Sequence, residues 1–510
     1  MLSPPPRDRP LPEFLRMATA IHWFRRDFRT RDNTALFTAA AEHDAVVGAF
    51  IIDPRWLGNP DKTGPHQTKF WLESLRELQA SLAKLNIPLI IRTDRNPVRA
   101  LLALARDVDA ASITYNKEYE PDQIAMDERL EREAAPLGLK VQAYKDAAIF
   151  EEHEILTGSR TIYSVFSPYK RAYLARINSD GELAFTVRGL PRKSSRMIKA
   201  KSDPLNFPHG DVSLDLPPGE AAGLQRLEQF IANNVQHYRD QRDYPMLADH
   251  GGISRLSAYL NAGTISIRQA MHAAFQALTH ASTKRPAQKA IDGSDPHTPR
   301  ESTEHFISEL IWREFYRMIL FNFPHTVSKP FQDNYSHVTW ANDPAHFKAW
   351  CEGRTGYPIV DAAMRQLAQT GWQHNRLRMI AAMFLTKDLD TSWVLGERFY
   401  MKSLMDYDQA CNIGGWQWSA STGTDAAPYF RIMNPVLQSE RYDPNGEFIR
   451  RYVPELRGVS KGFIHAPWLM PAEVQKAANC VIGKDYPAPI VDHHEAKERA
   501  VAKFRKPAAI

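Results

Sequence analysis

Five short apolar runs punctuate the first 146 residues: AIHWF, AVVGAFII, PLIIR, ASITY and LKVQAY. Each is rich in β-branched or aromatic residues. The segments between them, such as HQTKFWLESLRELQASLAKL and PVRALLALARDV, repeat apolar residues at spacings of three and four. Strands that alternate with helices join through crossovers into a parallel sheet covered on both faces. Residues 20–146 are therefore expected to form a doubly wound α/β domain. No GxGxxG follows any of the runs, so the usual dinucleotide-phosphate turn is missing.

From about residue 223 to 475 the strand signals fade. GLQRLEQFIANNVQHY, TEHFISELIWREFYRMILF, VDAAMRQLAQ and HNRLRMIAAMFLTKDL keep helical period, which predicts an all-α second domain. Residues 147–222 break both rhythms with clustered Pro, Gly and Ser and read as a long inter-domain linker, whose basic stretch from Lys170 to Lys201 is either a solvated surface loop or a contact to nucleic acid. A polar, proline-interrupted loop is expected over 281–301. The proline-rich residues 1–19 read as a flexible arm, and 476–510 as a C-terminal extension.

Composition narrows the class further. With 43% hydrophobic residues the chain can bury a large core, and its net charge of +5 permits a polyanionic partner without requiring one. No 18-residue apolar run is free of charge, and MLSPPPRDRPLPEF has no apolar signal region, so neither a membrane span nor secretion is expected. Cys351, Cys411 and Cys480 lie far apart, which fits a reducing, cytoplasmic setting without disulfides.

Unusual chemistry concentrates in the helical half, where eight of the eleven tryptophans follow residue 300. In SELIWREFYR, Glu309, Trp312, Arg313 and Tyr316 fall on one helical face. That face is either a surface Glu309–Arg313 ion pair or an aromatic platform for a flat heterocycle. In WQHNRLRMIAAMF, Asn375, Arg378 and Met379 share a face. His374 has no second His or Cys at metal spacing, so no metal site is expected. In MDYDQACNIGGWQWS, Asp406, Asp408, Asn412, Gly414, Gly415, Trp416 and Trp418 crowd together, and a glycine there suggests close approach of a planar ligand. In ISRLSAYL, Ser254, Arg255 and Ser257 lie at a helix start, where hydroxyls and N–H groups suit either an ordinary cap or a phosphate.

Taken together, HWFRRDFRTRDNTAL at 22–36, ELIWREFYR, EGRTGYPIVDAAMRQL, HNRLRM and GGWQWSASTGTDAAPYFRI resemble the photolyase/cryptochrome family, in particular its class I cyclobutane pyrimidine dimer (CPD) photolyases. The resemblance is dense from about 303 to 456. It implies an α/β domain, a long linker and a helical FAD domain. It also implies light-driven reversal of a pyrimidine dimer in DNA, one electron passing from photoexcited FADH⁻ to the dimer and returning after the ring splits.

Residue by residue, the resemblance implies an FAD site of Tyr238, Ile253, Ser254, Arg255, Leu256, Ser257, Arg378, Asp406, Tyr407, Asp408 and Asn412. Ile253 stands where a Thr is expected, which removes one hydroxyl. Glu309, Asn375, Met379 and Asn412 are implied as catalytic, Asn412 facing flavin N5. Arg242, Glu309, Trp312, Arg313, Tyr316, Asn375, Arg376, Met379, Trp418 and Arg431 are implied as DNA contacts. Trp416, Trp393 and Trp340 match the family's electron relay.

The same comparison weighs against the neighbouring activities. Asn412 stands where photoreceptor cryptochromes commonly carry Cys or Asp, and Met379 and Glu309 stand where (6-4) photolyases place His and Gln. The missing GxGxxG argues against a thermal flavin oxidoreductase using a nicotinamide. Many members bind an antenna chromophore in the α/β domain. Tyr119-Glu120 is followed here by Pro121, Asp122 and Gln123 instead of the Asn-Glu of folate binders, so a folate, a deazaflavin, a flavin or an empty antenna site stays open. The partner implied is dimer-containing DNA, and a monomer is expected.

Overall fold

The computed structural model describes residues 18–181 and 186–505. Most of the expected arm at 1–19 and residues 506–510 lie outside the described residues. The five apolar runs are five strands, β1 (Thr19–Phe24), β2 (Ala45–Ile52), β3 (Leu89–Thr93), β4 (Ala110–Asn116) and β5 (Lys140–Tyr144). They form one parallel sheet in the order β3-β2-β1-β4-β5. Every residue of β1 and β2 is buried, because helices cover both faces of the sheet centre.

Strand order reverses between β1 and β4, the place where open α/β sheets leave a ligand crevice. Here that crevice is filled from within. Asp27 takes the His22 ring nitrogen at 3.1 Å and the Asn116 and Asn33 amides at 2.7 and 3.0 Å. Burial opposes its charge, but His22 and Arg29 prevail and hold its carboxyl at about 2.

The helical half closes over the same strand ends. Arg29 and Arg268 both reach Asp146 at 2.6 Å, and Arg268 reaches Asp32 at 2.9 Å, with all four side chains buried. Glu314, on the long Pro299–Asn322 helix, accepts the Ile149 and Phe150 N–H groups at 2.9 and 3.3 Å. Removing one partner from such a buried network costs about 3–5 kcal/mol, so the two halves are held in one register.

Three expectations need correction. The 147–222 segment contains a helix, Phe166–Asp180, whose Phe166, Tyr169, Tyr173 and Ile177 are buried. Its apolar spacing of three, four and four is present in the sequence but is masked by interleaved Lys and Arg. At the other end, the 476–510 segment contains a helix, His493–Phe504, whose buried Ala496, Ala500 and Phe504 lie in an element packed on the Phe384–Asp388 turn of a second apolar core around Ile380, Leu385 and Ile413, separate from the first around Tyr259, Phe306 and Phe315. The 281–301 loop ends slightly early, because Thr298 and Glu301 form a capping box that starts the long helix at Pro299.

Candidate active site

Three elements of the helical half converge. The Pro299–Asn322 helix carries Glu309 and Trp312, the Asn375–Met383 helix carries Arg376, Arg378 and Met379, and the Gln409–Ala420 helix carries Asn412, Trp416 and Trp418. The second begins where it does because His374 caps it, its Nδ1 accepting the Arg376 N–H at 3.2 Å. The imidazole is fully buried, and burial pushes its pKa down to about 3.

A histidine depressed in the folded state leaves the unfolded chain to take up the proton first. Its contribution to stability is therefore full above about 6.5 and is lost as pH falls from there toward 3. His374→Asn keeps a capping acceptor and removes the titration. Its stability at pH 7 is expected to lie within about 1 kcal/mol of wild type, with a shallower acid decline between those two values, read by urea unfolding at several pH values.

The residues implied for FAD divide into those free to hold it and those already committed. Arg378 donates from Nη2 to both Asp406 oxygens at 2.9 and 2.8 Å and from Nε to the Gln373 carbonyl at 2.9 Å, which leaves Nη1 free among the described residues. Asn412 donates Nδ2 to the Glu397 carboxylate at 3.2 Å, and Tyr407 donates its hydroxyl to the same carboxylate at 2.9 Å. The Asn412 carbonyl oxygen is therefore left as an acceptor. Burial pushes the Glu397 carboxyl up, against the two hydrogen bonds.

Asp408 acts through the helix it caps, accepting the Cys411 N–H at 3.0 Å and Arg317 Nη2 at 2.9 Å. Burial opposes its charge, yet Arg317, Arg313 and Arg26 hold its carboxyl well below the usual range. In the 253–257 turn, Arg255 is committed to Asp249 at 2.9 Å, to Asp215 and to the Trp372 ring at 4.4 Å. Ile253 and Leu256 pack on the first core, while the Ser254, Ser257 and Tyr238 hydroxyls have no hydrogen bond among the described residues.

The glycines sort the same way. A Cβ at Gly414 would collide with the Tyr316 ring, so Gly414 admits Tyr316 and not a ligand. A Cβ at Gly415 would meet nothing within 4 Å, and this exposed position shares a face with Asn412. An open backbone and an amide acceptor on one helix, an ion-paired guanidinium on the helix packed against it, and the free Ser254, Ser257 and Tyr238 hydroxyls are a donor and acceptor set that fits FAD: polar ring atoms would meet Asn412 and Arg378, and phosphates the serines.

The expected face of the Pro299–Asn322 helix is rearranged. Glu309 pairs with Arg242, not with Arg313. Arg313 turns to the domain interface and donates to the Ala147 and Leu260 carbonyls at 3.1 and 3.2 Å, so it leaves the group expected to contact DNA. Tyr316 is half-buried and packs against both cores, tilted against Trp312 and covered by Gly414. Trp312 is stacked on Phe166 with ring centroids 3.6 Å apart and planes 9° from parallel, so the linker helix braces it. Asn375 and Met379 touch, at 3.9 Å from Nδ2 to sulfur. Arg376 pairs with Asp243 at 2.6 Å and covers Tyr442, and it lines a surface groove with Trp418 and Arg431.

Trp416 and Trp393 are buried in the second core and Trp340 packs against it, partly exposed. Trp416 lies against Gly396, where a Cβ would run into its ring. Its ring partners are Tyr400 at 5.0 Å and Trp350 at 6.0 Å. Sequence reasoning singled out neither of these, nor Glu397 or Phe166. Each is a single residue in an ordinary helical segment, with no local motif to mark it.

The family described as DNA photolyase matches residues 20–187, and the FAD binding domain of DNA photolyase matches residues 306–506. The chain is 40% identical to the deoxyribodipyrimidine photo-lyase of Escherichia coli over 96% of this chain and 98% of that one. Its structure is similar to a bacterial class III photolyase from Agrobacterium tumefaciens, with TM-score 0.85 and 34% identity over 96% and 98% of the two chains. It is also similar to an archaeal photolyase from Sulfolobus tokodaii that holds two FAD molecules, with TM-score 0.76 and 31% identity over 95% and 99%.

Proposed function

The chain belongs to the DNA photolyase family, and on that premise we propose that it is a deoxyribodipyrimidine photo-lyase, which uses light to split cyclobutane pyrimidine dimers in DNA. The observation that carries this reading is the open face at Asn412 and Gly415, on a helix packed against the one that bears the ion-paired Arg378, in a domain of the FAD-binding photolyase type. Class I character rests on the sequence motifs, and the similar structures include a class III enzyme.

Reduced FAD supplies the photoexcited electron donor when bound, and the side chains position both reactants around it. Asn412, oriented by Glu397, would offer its carbonyl to the N5 edge. Arg378 and Asp406 would set the local charge beside the ring, and Ser254, Ser257 and Tyr238 would hold the phosphates. A dimer is out of reach in a stacked duplex and must be flipped out, which a damaged pair resists less. Trp312, braced from behind by Phe166, offers its other face to the extruded bases. Glu309, oriented by Arg242, would accept a hydrogen bond from a ring N–H of the dimer, with Asn375 and Met379 beside it. Arg376, Trp418 and Arg431 meet the strand near the lesion.

Repair of a thymine-dimer oligonucleotide in light and not in the dark tests the reading. Absence of repair by flavin-loaded protein in light would leave a photoreceptor of the cryptochrome type. Within the pocket, Trp312→Ala is expected to weaken binding of damaged DNA by about 1–3 kcal/mol through lost stacking. Glu309→Gln is expected to lower the repair yield per photon with a smaller loss of binding. Equal effects of both substitutions on both quantities would show the roles to be wrongly divided.

The antenna is read from the absorption spectrum of the purified protein, which separates a folate, a deazaflavin and a second flavin. Glu120, beside the place of the folate contact, pairs with Arg26. No helix among the described residues is long and apolar enough to cross a membrane. We place the protein in the cytoplasm as a monomer.

A further inference from the structure

A histidine that no motif marks stands beside Glu309. His305 lies one turn earlier on the Pro299–Asn322 helix, so the two side chains share a face. Its Nε2 is 2.7 Å from Arg242 Nη1 and 3.7 Å from a Glu309 carboxylate oxygen. The same Nη1 also meets Glu309. A guanidinium Nη carries two N–H groups, so Arg242 gives one to each neighbour. Arginine cannot accept a hydrogen bond, which makes Nε2 the acceptor and puts the imidazole proton on Nδ1.

The surroundings are charged. Arg239, Arg242 and Asp243 face His305 from the segment before the helix, and Glu309 from its own helix. Lys170, on the Phe166–Asp180 helix, faces Glu309 and Arg239. Burial first and the Arg242 charge second push the imidazole down to about 4, so the ring is neutral at neutral pH. The rest of the guanidinium is held loosely. Its Nε is 3.8 Å from Asp243, its carbon lies 5.4 Å over the Tyr238 ring, and Nη2 has no hydrogen bond among the described residues.

We propose that His305 is a positioning residue for lesion recognition: as a neutral acceptor it pins one N–H of Arg242 while Glu309 takes the other, which leaves Nη2 as the donor to the damaged strand. The proposal rests on the repair reading above, in which Arg242 contacts DNA. Two acceptors on one nitrogen fix the plane of the guanidinium fork, whereas Glu309 alone leaves the fork free to turn about a single bond. A protonated imidazole has no acceptor and sets a like charge against Arg242, so the arrangement needs the neutral ring.

The test compares the flavin-loaded full chain with its His305→Gln, His305→Ala and His305→Lys variants, the last standing in for the charged ring. The His305 side chain is 35% exposed, so truncating it opens no closed cavity. Binding in the dark to a duplex with a central thymine dimer is expected to fall about tenfold in His305→Ala, through loss of a hydrogen bond to a charged group, and further in His305→Lys. His305→Gln, whose side-chain carbonyl supplies an acceptor, should bind within about twofold of wild type. Flavin content should be the same in all four proteins. In an Arg242→Gln background, His305→Ala should cost nothing more, because the group it positions is gone. Nitrogen NMR of histidine-labelled protein should show one resonance that is missing from His305→Gln, carries its proton on Nδ1, and stays neutral from about pH 8 to 6, where an unperturbed histidine begins to charge.

Equal binding by His305→Ala and wild type would overturn the proposal, as would the full His305→Ala loss in the Arg242→Gln background. Flavin loss in His305→Ala would do the same, because the residue would then act through the cofactor. So would a His305 resonance that titrates at about 6.5 or carries its proton on Nε2. A wild-type chain with no preference for damaged over undamaged duplex, its Nδ1-protonated resonance in place, would instead overturn the repair reading on which the proposal rests.

Discussion

Arg378→Ala is expected to yield protein that has lost its flavin or does not fold. Asp406 is 5% exposed, and its charge is met by Arg378 at 2.9 and 2.8 Å. Truncating the arginine leaves a carboxylate buried without a partner, a loss of about 3 kcal/mol, large against the roughly 5–15 kcal/mol that holds a domain folded. The same change frees the Gln373 carbonyl and removes the unpaired Nη1 donor offered to the cofactor. Arg378→Lys restores the charge but not the forked geometry, and is expected to fold while holding flavin more weakly. Flavin content per chain, from the visible spectrum after desalting, together with thermal unfolding, checks both. A soluble Arg378→Ala protein with a full flavin complement would take Arg378 out of the site.

Trp416→Phe is expected to separate two activities. The indole is 2% exposed, closed in by Gly396, Tyr400 and Trp350, and phenylalanine keeps most of that packing. Such a swap costs up to about 1.5 kcal/mol, so the variant should fold and retain FAD. Light-driven reduction of oxidised flavin with an external thiol should be largely abolished, because that electron must come through the protein. Repair by chemically pre-reduced enzyme should be nearly unchanged. Normal photoreduction in Trp416→Phe would exclude Trp416 from the relay. Trp393→Phe and Trp340→Phe, measured in the same way, report on the two outer positions.

Much of this protein is legible before any coordinates. The five strands follow from runs of β-branched and aromatic residues, and the long helices from apolar spacing, since both patterns are local and are imposed by burial of one face or two. Segments such as HNRLRM and GGWQWSASTG likewise carry their functional residues at helical spacing, so the Asn375–Met379 contact and the shared face of Asn412 and Gly415 can be read from position alone.

Tertiary structure alone decided which charge meets which. Glu309 and Arg313 stand at the spacing of a helical ion pair. Glu309 nevertheless turns to Arg242, 67 residues earlier in the chain, and Arg313 to carbonyls across the domain interface. The same holds for Trp312 on Phe166, Asn412 on Glu397, and Gly414 against Tyr316. Sequence patterning determines elements and faces, because a face is defined within a few residues. Partners across a site are chosen by how whole elements pack, because a buried charge or amide takes whichever group desolvation leaves beside it.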